Sequence, residues 1–175
     1  RLNALRLLFG KKVFGAMARG LRWLTCKKLP LWNEYMPTAA KKIKIPGQAR
    51  NDGRKVVYFP SCITRSMGTT KAYSKEKEVT QVTAALLESA GFQIIYPEKM
   101  DSLCCGMLFS SKGYVEAGQK ASDDLKAALL KASDGGKIPI LCDMSPCLYT
   151  MKSNFGDELP LYEPTEFIEK SVLEH

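Results

Sequence analysis

The sequence predicts an α/β fold: a Rossmann-like open parallel sheet of about four strands with helices on both faces, preceded by a basic amphipathic helix. Two observations carry this. From Lys55 onward, short apolar runs alternate with longer stretches of helical periodicity. The repeated strand–helix–strand order requires right-handed crossovers, which make the sheet parallel and cover both of its faces.

The elements follow in order. In residues 1–25, Leu5, Leu8, Phe9, Val13, Met17, Leu21 and Leu24 recur at three- and four-residue spacing, with Arg6, Lys11, Lys12, Arg19 and Arg22 between them. This is first of all a core signal for a helix packed on its own protein, and second a helix suited to an anionic membrane surface. Residues 27–54 carry Pro30, Pro37, Pro46, Gly47 and Gly53 and read as a linker or surface extension docked by Trp32, Tyr35 and Met36. Val56 to Phe59 is the first strand, stopped by Pro60. A helix through Val79, Val82, Leu86, Leu87 and Ala90 closes at Gly91. Gln93 to Tyr96 is the second strand, and a helix through Val115, Gly118, Ala121, Leu125, Ala128 and Leu129 ends at Gly135-Gly136. Ile138 to Leu141 is the third strand, although Pro139 is tolerated only at its start or on an edge. A short helix is expected after Cys147, then a strand at Leu161-Tyr162, and a last helix from Thr165 to Val172 with Thr165 as cap. The expected division is 1–54 for helix and linker, 55–172 for the α/β domain, and 173–175 for a tag remnant on a fragment of a longer protein.

Charge is uneven. Residues 1–55 hold 14 Lys or Arg against Glu34 and Asp52, while the rest of the chain is net negative. No motif of a nucleic-acid-binding fold accompanies the basic third, so no nucleic-acid partner is expected. No apolar run reaches the roughly 20 residues that a membrane helix needs. With no secretory signal in view, the expected location is cytoplasmic, with a peripheral position at the inner face of the membrane as the option the basic helix opens.

Six cysteines in a reducing compartment point to metal or catalysis before disulfides. Cys26 reads as an ordinary small hydrophobe. The other five are Cys62, then 41 residues, the adjacent Cys104-Cys105, then 36 residues, Cys142, four residues, and Cys147. Ligand sites of open parallel sheets form outside the carboxyl ends of the strands. Cys62, Cys104, Cys105 and Cys142 all follow or end a predicted strand, and Cys147 lies just beyond. The topology therefore delivers all five sulfurs to one edge. Gly106 would allow close backbone approach to a bound group. Lys112 and Arg65 would stabilise anionic sulfur, or else be plain surface charges. Asp143 and Ser145 would either make supporting contacts or simply form a turn. The paired C-x-x-C hooks of structural zinc are absent, as is the C-x₂-C-x₂-C run of ferredoxin cubanes. Five sulfurs exceed what one tetrahedral ion needs, which favours an iron–sulfur cluster of unusual shape.

The order Cys, Cys-Cys-Gly, Cys, Cys, with the first cysteine in Phe59-Pro60-Ser61-Cys62 after a strand, resembles the cysteine-rich CCG domain. That domain occurs in heterodisulfide reductases, in the iron–sulfur subunits of anaerobic glycerol-3-phosphate dehydrogenase and glycolate oxidase, and in lactate-utilisation proteins. The segments Val57-Tyr58-Phe59-Pro60-Ser61-Cys62, Cys104-Cys105-Gly106-Met107-Leu108-Phe109-Ser110-Ser111-Lys112-Gly113 and Cys142-Asp143-Met144-Ser145-Pro146-Cys147 resemble the C-terminal region of large FAD- and iron–sulfur-containing D-lactate dehydrogenases. The resemblance implies an iron–sulfur cluster, 4Fe-4S or non-cubane, held by Cys62, Cys104, Cys105, Cys142 and Cys147. It also implies a role in passing electrons from FAD in other domains of a 2-hydroxy-acid dehydrogenase to a quinone or cytochrome acceptor. Flavin and ferredoxin-like domains of the same protein are the implied partners, and such a fragment alone would not oxidise substrate. The general pattern ends C-x-x-C, whereas four residues separate Cys142 from Cys147, which leaves open whether both ligate. Two other readings stand beside this one: a zinc-stabilised docking module, and a thiol–disulfide domain acting through Cys104 and Cys105.

Overall fold

The computed structural model describes residues 13, 15–25, 39–41, 43, 53–69 and 76–173. Cys26, the linker aromatics Trp32 and Tyr35, Met36, and the first turns of the expected N-terminal helix lie outside the described residues.

The sheet has four parallel strands in the order β2-β1-β3-β4. They are β1 (Lys55–Phe59), β2 (Gln93–Ile95), β3 (Ile140–Cys142) and β4 (Leu161–Tyr162). The first strand lies inside the sheet: Val57 faces Ile95 on one side and Ile140 on the other. Its unbroken apolar run follows from that place, because a strand covered on both faces has no solvent side to make polar. Val57 and Phe59 pack with Leu125, Leu129, Met151 and Phe155. Val56 and Tyr58 point the other way, to Leu87, Phe92 and Phe167. Helices therefore cover both faces: α5 (Val115–Ala132) and α6 (Ser145–Phe155) on one, α3 (Val79–Ser89) and α7 (Pro164–Ile168) on the other. Leu125 and Leu129 are fully buried on α5, each contributing on the order of 2 kcal/mol. Two short helices complete the cysteine side, α2 (Cys62–Ser66) and α4 (Met107–Ser110).

Several expected boundaries shift. Pro139 precedes β3 instead of lying in it, and its carbonyl accepts the Val57 N–H at 2.9 Å. The proline thus supplies an acceptor to the ladder where its missing N–H is not needed. The helix expected after Cys147 starts earlier, at Ser145, with Pro146 in its first turn, so Cys147 is itself helical. Thr165 does not cap the last helix: Glu163 holds that place, the Thr165 hydroxyl bonds to the Glu163 carboxylate at 3.0 Å, and the helix winds on as a π turn over Glu169–Leu173. On α3 only Thr80 and Leu87 are buried, while Val79, Val82 and Leu86 are exposed.

The chain divides into two compact units, residues 1–41 with 67–78 and residues 42–66 with 79–175. In the first, the expected amphipathic helix is present as α1 (residues 15–24), and Met17, Leu21, Trp23 and Leu24 on it are exposed. In the same unit Ala39 pairs antiparallel with Met67, and the Lys41 N–H donates to the Glu78 carboxylate. No helix among the described residues is long and apolar enough to cross a membrane.

Candidate metal centre

Each cysteine reaches the carboxyl edge by its own local route. Phe59 ends β1, and Pro60-Ser61 turns the chain into α2, whose first residue is Cys62. The Ser61 hydroxyl accepts the Thr64 N–H at 3.2 Å, an N-cap bond that fixes this turn. After β2 the chain passes a 3₁₀ turn at Met100–Ser102 and delivers Cys104 and Cys105, and Gly106 then starts α4. Cys142 is the last residue of β3, and Cys147 lies in the first turn of α6.

The sulfurs meet in cross-loop pairs. Cys104 Sγ lies 4.0 Å from Cys62 Sγ, a contact between segments 42 residues apart. The Cys147 thiol hydrogen-bonds to Cys105. This pair shares one proton, so Cys105 is lowered to about 6 chiefly by that bond, while Cys147 is pushed up by the same bond and by burial. Burial raises Cys142 to about 12 and Cys104 to about 11. The Gly106 N–H points at Cys104 Sγ at 3.5 Å, the Met107 N–H bonds to Cys105, and Cys142 Sγ reaches the Met144 carbonyl at 3.7 Å. Cys105, Cys142 and Cys147 are buried, while Cys62 and Cys104 are half-buried.

Two polar residues tie the loops together. Asp143, directly after Cys142, accepts the Ser61 N–H at 2.8 Å and the Tyr58 hydroxyl at 3.1 Å. It thereby joins the end of β3 to the turn before Cys62. Arg65 donates from Nε to the Pro60 carbonyl at 2.9 Å and from its two terminal nitrogens to the carbonyls of Met100 and Leu103. Asp143 and Arg65 thus tie backbone segments together, and none of these bonds is to a cysteine. Ser145 instead bonds to the Glu163 carboxylate at 3.3 Å. Lys112 is exposed on the turn between α4 and α5, and no hydrogen bond or ion pair to the cysteines is found for it among the described residues. Gly106 has φ +87°, and a Cβ there would sit 2.2 Å from the Gly118 carbonyl oxygen. Its close backbone approach is therefore to helix α5. A surface cleft of about 700 Å³ opens between the end of β2 and α5; Leu103 lines it, but none of the five cysteines does.

Among the described residues no three His, Cys, Asp or Glu side chains are disposed to hold a single metal ion. The donor set is instead five soft sulfurs in two close pairs plus Cys142, with negative charge available on Cys105. Soft sulfur donors of this kind suit a soft metal or an iron–sulfur cluster.

An open parallel α/β sheet with cysteines gathered at its carboxyl edge defines a cysteine-rich class of domain. Residues 56–152, more than half of the chain, match the family described as CCG, cysteine-rich domain, and the chain belongs to that family. The family is generally associated with iron–sulfur electron transfer. No curated protein and no solved structure matched the chain.

Proposed function

We propose that the chain is an iron–sulfur electron-transfer module of a flavin-linked D-lactate or related 2-hydroxy-acid dehydrogenase, passing electrons from FAD in other domains to a quinone or cytochrome acceptor. The observation that carries the reading is the delivery of five cysteines by three strand ends to one edge, with Cys62 beside Cys104 and Cys105 beside Cys147. Cys62, Cys104, Cys105, Cys142 and Cys147 would hold the cluster. A bound cluster would supply the reversible one-electron chemistry. The chain's own residues do the rest. Cys105 and Cys147 share a proton that cluster binding would have to release. The Gly106 and Met107 N–H groups offer hydrogen bonds to the sulfurs, which stabilise the charge they carry. Leu103, Leu148 and Met151 keep water from the inner side of the site.

Burial weighs against thiol–disulfide exchange at Cys105, while Cys104 is only half-buried. Cys105, whose thiol is lowered, is 2% exposed, and its partner Cys147 is 4% exposed, so a disulfide substrate has no direct approach to either. Anaerobic purification followed by iron and acid-labile sulfide analysis tests the proposal. Iron together with sulfide is the expected result. Zinc would replace it with the docking-module reading, and absence of both metals after reconstitution would return the site to thiol chemistry.

A further inference from the structure

We propose that Arg65 is the positioning residue of the cysteine edge: it ties the Cys62 turn to the Cys104-Cys105 loop through backbone carbonyls and keeps a fixed positive charge beside the sulfurs. The charge half of this rests on the cluster reading above; the tie does not.

Arg65 sits one helical turn after Cys62 on α2, half-buried. Its three donors engage the Pro60 carbonyl on its own segment and the Met100 and Leu103 carbonyls on the segment that carries Cys104. Met100 and Leu103 bracket the 3₁₀ turn whose exit leads straight into Cys104. The guanidinium also lies over the Phe59 ring, 5.6 Å from its centroid. A planar fork held by three carbonyls and by one aromatic ring does not swing freely into solvent as a surface arginine does. It therefore fixes where the two half-buried sulfurs, Cys62 and Cys104, stand relative to each other, 4.0 Å apart. Its charge is felt at the same place: the carboxylates of Asp101 and Asp143 act on the guanidinium, and so would anionic sulfur at Cys62 and Cys104. Reduction of a cluster adds an electron, and a fixed cation beside the ligands favours the reduced form. Lysine would keep the charge but lose the three-carbonyl fork, whereas glutamine would lose both.

That difference separates the two halves in one pair of variants, Arg65→Gln and Arg65→Lys. In the metal-free protein, diamide takes two electrons and two protons from the thiols of Cys62 and Cys104 and leaves an S–S bond. Peptide mapping after alkylation reads the rate. Both variants are expected to form this cross-link several-fold more slowly than the unchanged chain, because the tie is gone in both. If Arg65→Gln does not fold, Arg65→Lys alone decides the tie. In the cluster-loaded protein, the midpoint potential is expected to fall in Arg65→Gln and to return most of the way in Arg65→Lys. Equal cross-linking rates in all three proteins overturn the tie, and an unchanged potential in Arg65→Gln overturns the charge role. If the unchanged chain takes up no cluster, the electron-transfer reading fails, and the cross-linking comparison still decides the tie.

Discussion

Tyr58 and Tyr96 sit ring against ring, 5.9 Å between centroids, yet their hydroxyls fare differently. Tyr58 donates to Asp143, and Thr83 also bonds to it. The Tyr96 hydroxyl is buried without a hydrogen-bond partner among the described residues, as is one oxygen of Glu88. Burial, and then the charge of Glu88, raises Tyr96 to about 12 from the usual 10.0. A raised acid binds its proton more tightly in the folded state. Its contribution to stability is complete below the unfolded value of about 10 and is lost as pH climbs through about 12. Tyr96→Phe removes an unsatisfied hydroxyl, so it should stabilise the fold by about 1 kcal/mol. It should also flatten part of the alkaline loss. Urea unfolding of both proteins below and above pH about 10 checks this, and a Phe variant less stable at neutral pH would refute it. None of this was legible in the sequence, where Tyr96 reads only as the end of an apolar run. A missing partner is a property of three-dimensional neighbours.

Elements, by contrast, were largely legible. Val56 to Phe59 announces a strand of a sheet covered on both faces, because such a strand has no polar side, and the cysteines announce an edge because parallel strands share one carboxyl end. The ties between the loops were not legible. Arg65 binds three carbonyls and Asp143 binds a backbone N–H, and every residue of a sequence offers such groups without showing which are left over from the ladders. The apolar period of α3 also misled in part: Val79, Val82 and Leu86 follow it and are exposed, because the helix is buried along Thr80 and Leu87. The Asp143 tie is open to test. Asp143→Ala leaves the Ser61 N–H unpaired and removes one of the two partners of the Tyr58 hydroxyl, which should cost roughly 1–3 kcal/mol. Because Asp143 joins the Cys142 strand to the Cys62 turn, iron uptake on reconstitution should fall with it. Urea unfolding and iron per chain are the two measurements, and unchanged values in both would show that the loops are held some other way.

The whole α/β unit stands on two apolar clusters, one on each face of the sheet. Three of the cysteines, Cys105, Cys142 and Cys147, belong to the larger cluster, but so do Leu125, Leu129, Met151 and Phe155, which have no ligand role. The fold therefore should not depend on metal, unlike small metallodomains that unfold when stripped. Chelation of the loaded protein is expected to bleach its visible absorption and leave its far-ultraviolet circular dichroism in place. Loss of the helical signal would mean that the metal is part of the core.

The strand order β2-β1-β3-β4 also sets a timetable. A ribosome releases β1 first, yet this strand ends up between neighbours made later, and Cys62 must wait for Cys147 to emerge. At about 5–20 residues per second the interval is roughly 4–17 s. During it, Cys62, Cys104 and Cys105 leave the exit tunnel as unburied thiols with no finished edge to join. A stray copper or zinc ion arriving then would meet an incomplete ligand set and could lodge there. On the iron–sulfur proposal, loading would be a matter of arrival time as much as affinity: the right metal would have to come after Cys147 has been made.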